Sequence, residues 1–153
     1  MAFQKRKKSN QKIRNATPTV YNGVKYRSRL EVFTAKALDD AKLVNEYEKN
    51  KFLLADKFVF SPVSFETYTK KGIKTFGIAR ENVQHITYTP DFVDPNFKWL
   101  IECKGYRTDS FDIKWKMFKK YLTDNDIKMD LYLPENQNQV KQVIELIKNK
   151  SYA

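Results

Sequence analysis

Apolar positions along the chain keep two rhythms, one of period two and one of period 3.6, and their succession outlines the elements. From Lys98 to Lys104 the alternation is that of a strand: Trp99, Ile101 and Cys103 fall on one face, Leu100, Glu102 and Lys104 on the other. Upstream, Phe52, Leu53, Leu54, Phe58, Phe60, Val63, Phe65 and Tyr68 make Lys51–Thr69 read as strand, with Pro62 marking a bulge or an edge. Lys70-Lys71-Gly72 is a turn, and Ile73–Tyr88 returns as a second and third strand broken near Gly77. Ile127–Leu133 predicts one strand more. The helical rhythm starts after the turn signal Tyr21-Asn22-Gly23-Val24. Ser28 is an N-cap with Glu31 completing a capping-box pattern, and Leu30, Phe33, Ala37, Leu38 and Ala41 form the apolar stripe. Ser110 or Asp109 opens a second helix through Leu122, with Phe111, Trp115, Phe118 and Leu122 inward. Val140, Val143, Ile144 and Ile147 line a third. This order predicts an α/β protein: a mixed central β-sheet, helices on both faces, and an extra β-hairpin.

Composition narrows the class. A length of 153 residues suits one domain, read as residues 20–153, and 41% hydrophobic with 14% aromatic residues suit a folded core. No apolar run approaches the roughly 20 residues of a membrane span, and the basic start lacks the apolar stretch of a secretory signal. The one cysteine, Cys103, excludes an internal disulfide and fits a reducing, cytoplasmic setting. Its strand face makes it a core residue rather than a nucleophile. A net charge of +11 points to a polyanionic partner. Residues 1–19 read as a flexible basic arm: Lys5, Arg6, Lys7, Lys8, Lys12 and Arg14 supply six of those charges and leave five for the folded part. The arm either contacts nucleic-acid phosphates or serves as a solubilising or targeting tail.

Candidate chemistry centres on Tyr88–Gly105. Asp91 follows Pro90 at the mouth of a short connection, and Glu102 and Lys104 share a strand face, roughly 7 Å apart between Cα atoms. Charges in a strand otherwise fit for burial call for a partner or a metal. Asp91 and Glu102 offer the hard oxygens that Mg²⁺ or Mn²⁺ takes, and Lys104 beside them would position or deprotonate a water or stabilise developing charge. The alternative is an edge strand whose Glu102 and Lys104 face solvent. Glu31 is either a plain helix cap or a group reaching inward from the border of its stripe. His85, the only histidine, reads as a surface or packing residue more readily than as a base. Lys114, Lys116, Lys119 and Lys120 form either a solvated helix face or a phosphate-binding flank, and Tyr106, Arg107 and Thr108 stand where a substrate would pass.

Pro90-Asp91 followed by Glu102-Cys103-Lys104 resembles the PD-(D/E)xK nuclease superfamily. Three further blocks resemble the phage endonuclease I type of Holliday-junction resolvase: Tyr26-Arg27-Ser28-Arg29-Leu30-Glu31, then Glu46-Tyr47-Glu48, then Tyr88-Thr89-Pro90-Asp91-Phe92 with Pro95-Asn96 and Glu102 to Gly105. The likeness spans residues 24–50 and 86–133; the segment before Tyr88 is longer than in that family, and the basic arm is additional. The resemblance implies a restriction-endonuclease-like core and a Mg²⁺-dependent DNA endonuclease, with Mn²⁺ substituting, acting on branched DNA as a homodimer in the cytoplasm, the host cell's if phage-encoded. It implies Glu31, Asp91 and Glu102 as acidic residues, Lys104 as catalytic lysine, and the Cys103 carbonyl as a further metal ligand. Lys5, Arg6, Lys7, Lys8, Arg27, Arg29, Arg107 and Lys114 are the expected DNA contacts. The rival expectations are a non-catalytic DNA-binding module and a nuclease subunit of a larger recombination or transposition complex.

Overall fold

The computed structural model describes residues 17–150. Its elements in chain order are β1 (Thr19–Tyr21), β2 (Val24–Tyr26), α1 (Arg29–Asp40), β3 (Glu46–Tyr47), β4 (Phe52–Ala55), β5 (Phe58–Val59), β6 (Phe65–Lys70) and β7 (Ile73–Ile78). There follow β8 (Asn82–Val83), β9 (Ile86–Tyr88), β10 (Phe92–Val93), β11 (Trp99–Ile101), α2 (Asp109–Asp124), β12 (Asp130–Tyr132) and α3 (Gln137–Asn149). The chain is mixed α/β, as its periodicities predict. A four-stranded sheet in the order β12-β11-β10-β3 forms the centre, with β11 and β12 parallel and the other pairs antiparallel.

Burial on both sides explains why β11 is apolar at every position. Trp99, Ile101 and Cys103 join a core with Val32, Ala35 and Leu38 of α1 and Val140, Val143, Ile144 and Ile147 of α3. Leu100 and Val93 face the opposite core, built from Phe111, Trp115, Phe118 and Leu122 of α2 with Phe52 and Tyr88 of the β4–β9 ribbon. Leu100 and Ile101 are fully buried; each such side chain contributes about 1.5–3 kcal/mol relative to exposure.

Several expectations are refined. The stretch Lys51–Thr69 is three strands, because each pairs elsewhere: β4 with β9, β5 with β8, β6 with β7. Pro62, which has no N–H to give, lies in the link between β5 and β6. The return strand breaks after Ile78, near Gly77 as expected, with Gly77 itself inside β7 opposite Glu66. The β6–β7 turn is Lys71-Gly72 with φ of 49° and 80°, the positive pair that a type I′ hairpin needs. Thr108, rather than Ser110 or Asp109, caps α2 by accepting the Phe111 N–H at 3.2 Å. Thr19 already pairs with Tyr26, so the end of the expected arm belongs to β1; the arm's residues 1–16 lie outside the described residues.

Helix α1 is rolled relative to its sequence stripe. Glu31, Val32, Thr34, Ala35 and Leu38 are its buried residues, whereas Leu30, Phe33 and Ala37 are half-buried. Glu31, Thr34, Ala35 and Leu38 are spaced 3, 1 and 3, which is one helix face. Glu31 therefore stands at the head of the buried face, not at its border.

Candidate active site

Strand register makes the first contact of the site. Phe92 pairs with Ile101 and Val93 with Leu100, so the next position out sets Asp91 against Glu102 where the two strands end. The Cys103 N–H donates to Asp91 Oδ2 at 2.7 Å, and the Asp91 N–H donates to Glu102 Oε2 at 3.3 Å. Beyond β11 the backbone keeps its course beside the β12 strand end, with Glu102 N–H on the Tyr132 carbonyl at 2.9 Å and Lys104 N–H on that of Pro134 at 3.1 Å. These bonds fix Glu102 and Lys104 on the Leu100 side, as the alternation requires.

The third carboxylate comes from α1. Ser28 Oγ accepts the Glu31 N–H at 3.2 Å and donates to Glu31 Oε1 at 2.8 Å. Glu31 Oε2 accepts from the Arg27 N–H at 3.0 Å and from the Tyr47 hydroxyl at 2.6 Å. Glu31 thus caps the helix and is also held over the sheet by β3. Arg27 Nε meets Glu48 Oε1 at 2.8 Å, and the Glu48 N–H donates to the Asp91 carbonyl at 2.8 Å. The start of α1, the end of β3 and Asp91 are tied together by this chain of bonds.

All three carboxylates are buried: Glu31 is 6% exposed, Asp91 9% and Glu102 4%. Among the described residues every buried side-chain nitrogen or oxygen has a hydrogen-bond partner. Charge is another matter. Burial raises the Asp91 carboxyl well above its ordinary value, and the negative charges of Glu102 and then Glu31 add to the rise. The Cys103 N–H and Lys104 only oppose it. Burial also raises Glu102, against the pull of the Tyr88 hydroxyl at 2.8 Å and of Lys104. Lys104 Nζ lies 3.6 Å from Glu102 Oε1 and 4.6 Å from the centre of the Phe111 ring, with its side chain 32% exposed. It is the basic group that both partly faces solvent and touches the carboxylates.

Cys103 presents its thiol to the opposite face, 3.2 Å from Thr34 Oγ1. Burial raises that thiol well above its usual value, which leaves little thiolate for nucleophilic attack. It is a core residue.

No group of three or more His, Cys, Asp or Glu side chains among the described residues is gathered to hold a metal ion, so Glu31, Asp91 and Glu102 are not a ready-made cage. Mg²⁺ does not require one, since one or two carboxylates with waters and substrate oxygens suffice. Asp91 and Glu102 fit that requirement: burial raises both carboxyls and the Glu102 charge raises Asp91 further, a cost that a cation beside them would relieve.

The remaining expected residues are dispersed. Arg27 is exposed and paired with Glu48, and Arg29 is the exposed first residue of α1. Arg107 is paired with Asp112 at 2.7 Å, and Lys114 is exposed on α2. Lys5, Arg6, Lys7 and Lys8 lie outside the described residues. His85 is exposed between β8 and β9. Thr108 is engaged as the α2 cap. A cleft of about 500 Å³ lined in part by Lys98, Lys119, Met129 and Asp130 involves none of the three carboxylates. Two residues absent from the sequence-derived set are Tyr88 and Tyr47, which hold Glu102 and Glu31. Both lie inside quoted motif blocks, but nothing local in the sequence says where their hydroxyls point.

Compared with known proteins, the chain matches no family model, no curated protein and no solved structure. No helix among the described residues is long and apolar enough to cross a membrane.

Proposed function

We propose that the chain is a metal-dependent DNA endonuclease with a restriction-endonuclease-like core, acting in the cytoplasm on branched DNA such as a four-way junction. The observation that carries this reading is the convergence of three buried carboxylates, one from α1 and two from the adjoining ends of β10 and β11, with one half-buried lysine beside Glu102. Structural acids are seldom desolvated together; catalytic ones often are. The net charge of +11 supports a polyanionic substrate.

Asp91 and Glu102 would hold Mg²⁺ or Mn²⁺, with the Cys103 carbonyl as a further oxygen. When bound, such an ion supplies an acidified water and charge neutralisation at a phosphodiester. The protein's own groups do the rest. Lys104, anchored by Glu102 and resting on the Phe111 ring, orients the attacking water and offsets charge on the phosphate oxygens. The Tyr88 hydroxyl keeps Glu102 in its rotamer, and the Asp91 N–H turns the same carboxylate oxygen toward the strand end. Glu31, held by Tyr47 and Ser28, adds the negative field that favours a cation at Asp91.

The test compares cleavage of a labelled four-way junction with that of the matching linear duplex, in Mg²⁺, in Mn²⁺ and in EDTA. Metal-dependent cutting of the junction, lost in Glu102→Ala and Lys104→Ala, is the expected result. Equal cutting of both DNAs would discard the branched substrate, and tight binding without cutting in any metal would discard the nuclease.

A further inference from the structure

We propose that one exposed line along α2, with the cleft at its far end, is a track for the phosphate backbone of a duplex leading away from the carboxylates. Helix α2 returns the chain along β11 so that β12 can start parallel to it. Its first turn therefore lies at the site, where Lys104 rests on the Phe111 ring at 4.6 Å. Its last turn lies beside Lys98 and Met129, where β11 and β12 begin. Between the two ends, Asp112, Lys116, Lys119 and Thr123 follow at spacings of 4, 3 and 4, which is one line along the helix. Asp112 holds the Arg107 guanidinium at 2.7 Å, so the line presents Arg107, Lys116 and Lys119 in turn. Lys119 is also part of the cleft wall. Lys120 lies off this line and is paired with Asp124.

The cleft, of about 500 Å³, is walled by Lys98, Lys119, Lys128 and Lys150 against the one carboxylate of Asp130. Asp130 is bonded to Lys150, and Asp126 stands 3.9 Å from Lys128. Line and cleft together hold six cationic side chains against three carboxylates. That excess is spread along the surface rather than gathered at a point. The Lys128 side chain is 88% exposed and that of Lys150 55%. Solvated ammonium groups at intervals suit a polyanion whose charges repeat, whereas one small phosphate calls for a converging set.

The dimensions agree with a duplex. From Asp112 to Thr123 the helix rises roughly 16 Å at 1.5 Å per residue. This is about five base pairs at 3.4 Å each, or half a helical turn. The direction of the duplex, outward from the carboxylates, rests on the nuclease reading above. Binding of DNA by the track does not.

The experiment is anisotropy titration of a labelled four-way junction with the full chain, in EDTA, over a series of salt concentrations. It compares the wild type with Lys116→Gln/Lys119→Gln on the line and Lys119→Gln/Lys128→Gln in the cleft. Lys70→Gln/Lys74→Gln in the β6–β7 arm removes the same charge elsewhere, and each variant is also melted. Both track variants should bind about tenfold or more weakly near physiological salt. Their slopes of log affinity against log salt should fall by about two, one for each lost phosphate contact. The control should keep the wild-type slope, and the melts should be unchanged. A wild type that binds no junction overturns the proposal, as do track variants that bind like the wild type. So does a control that weakens as far as they do, since net charge alone would then set the affinity. Displacement of the junction by ADP at concentrations too low to act as salt would overturn it in favour of a small phosphorylated ligand. Because no cleavage is read, failure here leaves the nuclease proposal standing, and a chain that binds by this track yet never cuts fails the nuclease alone.

Discussion

The strand ends at Asp91 and Glu102 and the β6–β7 arm invert one another. In the first, three carboxylates lie where apolar side chains belong, 4–9% exposed and surrounded by two hydrophobic cores. In the second, two phenylalanines and an isoleucine stand 59–69% exposed where polar side chains belong. Buried charge and exposed apolar surface both cost stability, and neither arises from packing needs. The first is held between the two hydrophobic cores, with each carboxylate oriented by a neighbouring backbone N–H or tyrosine. The second is held by one ribbon and its turn. Precise placement is what the proposed chemistry requires, and the strand ends supply it.

Breaking the two regions should give opposite signatures. The largest effect is expected for Asp91→Asn and Glu102→Gln. Each should lower the cleavage rate by about a thousandfold, the scale of losing one preorganised electrostatic contact, while raising the melting temperature of the metal-free protein. Loss of activity together with a lower melting temperature would make these acids structural. Next is Ile101→Ala, which opens a cavity in the core facing α1 and α3 and should cost about 2–5 kcal/mol in denaturant unfolding. The same measurement on Phe65→Thr in the arm should move by less than about 0.5 kcal/mol.

Smaller effects sharpen the picture of the site. Tyr88→Phe removes only the hydroxyl that orients Glu102 and should reduce metal affinity or cleavage by about 10–100-fold, with little change in the melt. Acid dependence follows from the directions of the two shifts. Asp91 and Glu102 titrate higher in the folded chain than in the unfolded one. Their favourable contribution is therefore full at pH below the ordinary carboxylate values and is lost as pH rises through the raised ones. Metal-free protein should melt a few degrees lower at pH 8 than at pH 5, a difference of about 1 kcal/mol, and Asp91→Asn should flatten that slope. Mg²⁺ at pH 8 should restore the melt of the wild type.

Much of the scaffold was legible in the residues. Alternation alone divides Trp99, Ile101 and Cys103 from Leu100 and Glu102, and the two cores keep that division. The inward residues of α2 and α3 match their helical spacing, and Ser28 caps α1. The orientation of α1 was not legible. Its stripe contains two nearly equal apolar faces, and packing against β1, β2 and above all α3, which is distant in sequence, selects the one headed by Glu31. The strands between Lys51 and Tyr88 were blurred for the same reason: composition marks a residue as fit for a sheet without naming its partner. Asp91 and Glu102 could be paired on chemistry, whereas Tyr88 and Tyr47 could not, because a tyrosine in an apolar run looks like core until its hydroxyl finds an acid. Tyr88 is in fact both, packed 4.8 Å from the Phe118 ring and bonded to Glu102.

The claim that these buried acids exist to receive a cation is tested most directly by calorimetric titration of Mn²⁺ into the metal-free wild type, Asp91→Asn and Glu102→Gln, with no DNA present. Saturable binding to the wild type that disappears in both variants is the predicted result. No binding to the wild type, or binding that both variants retain, would contradict it.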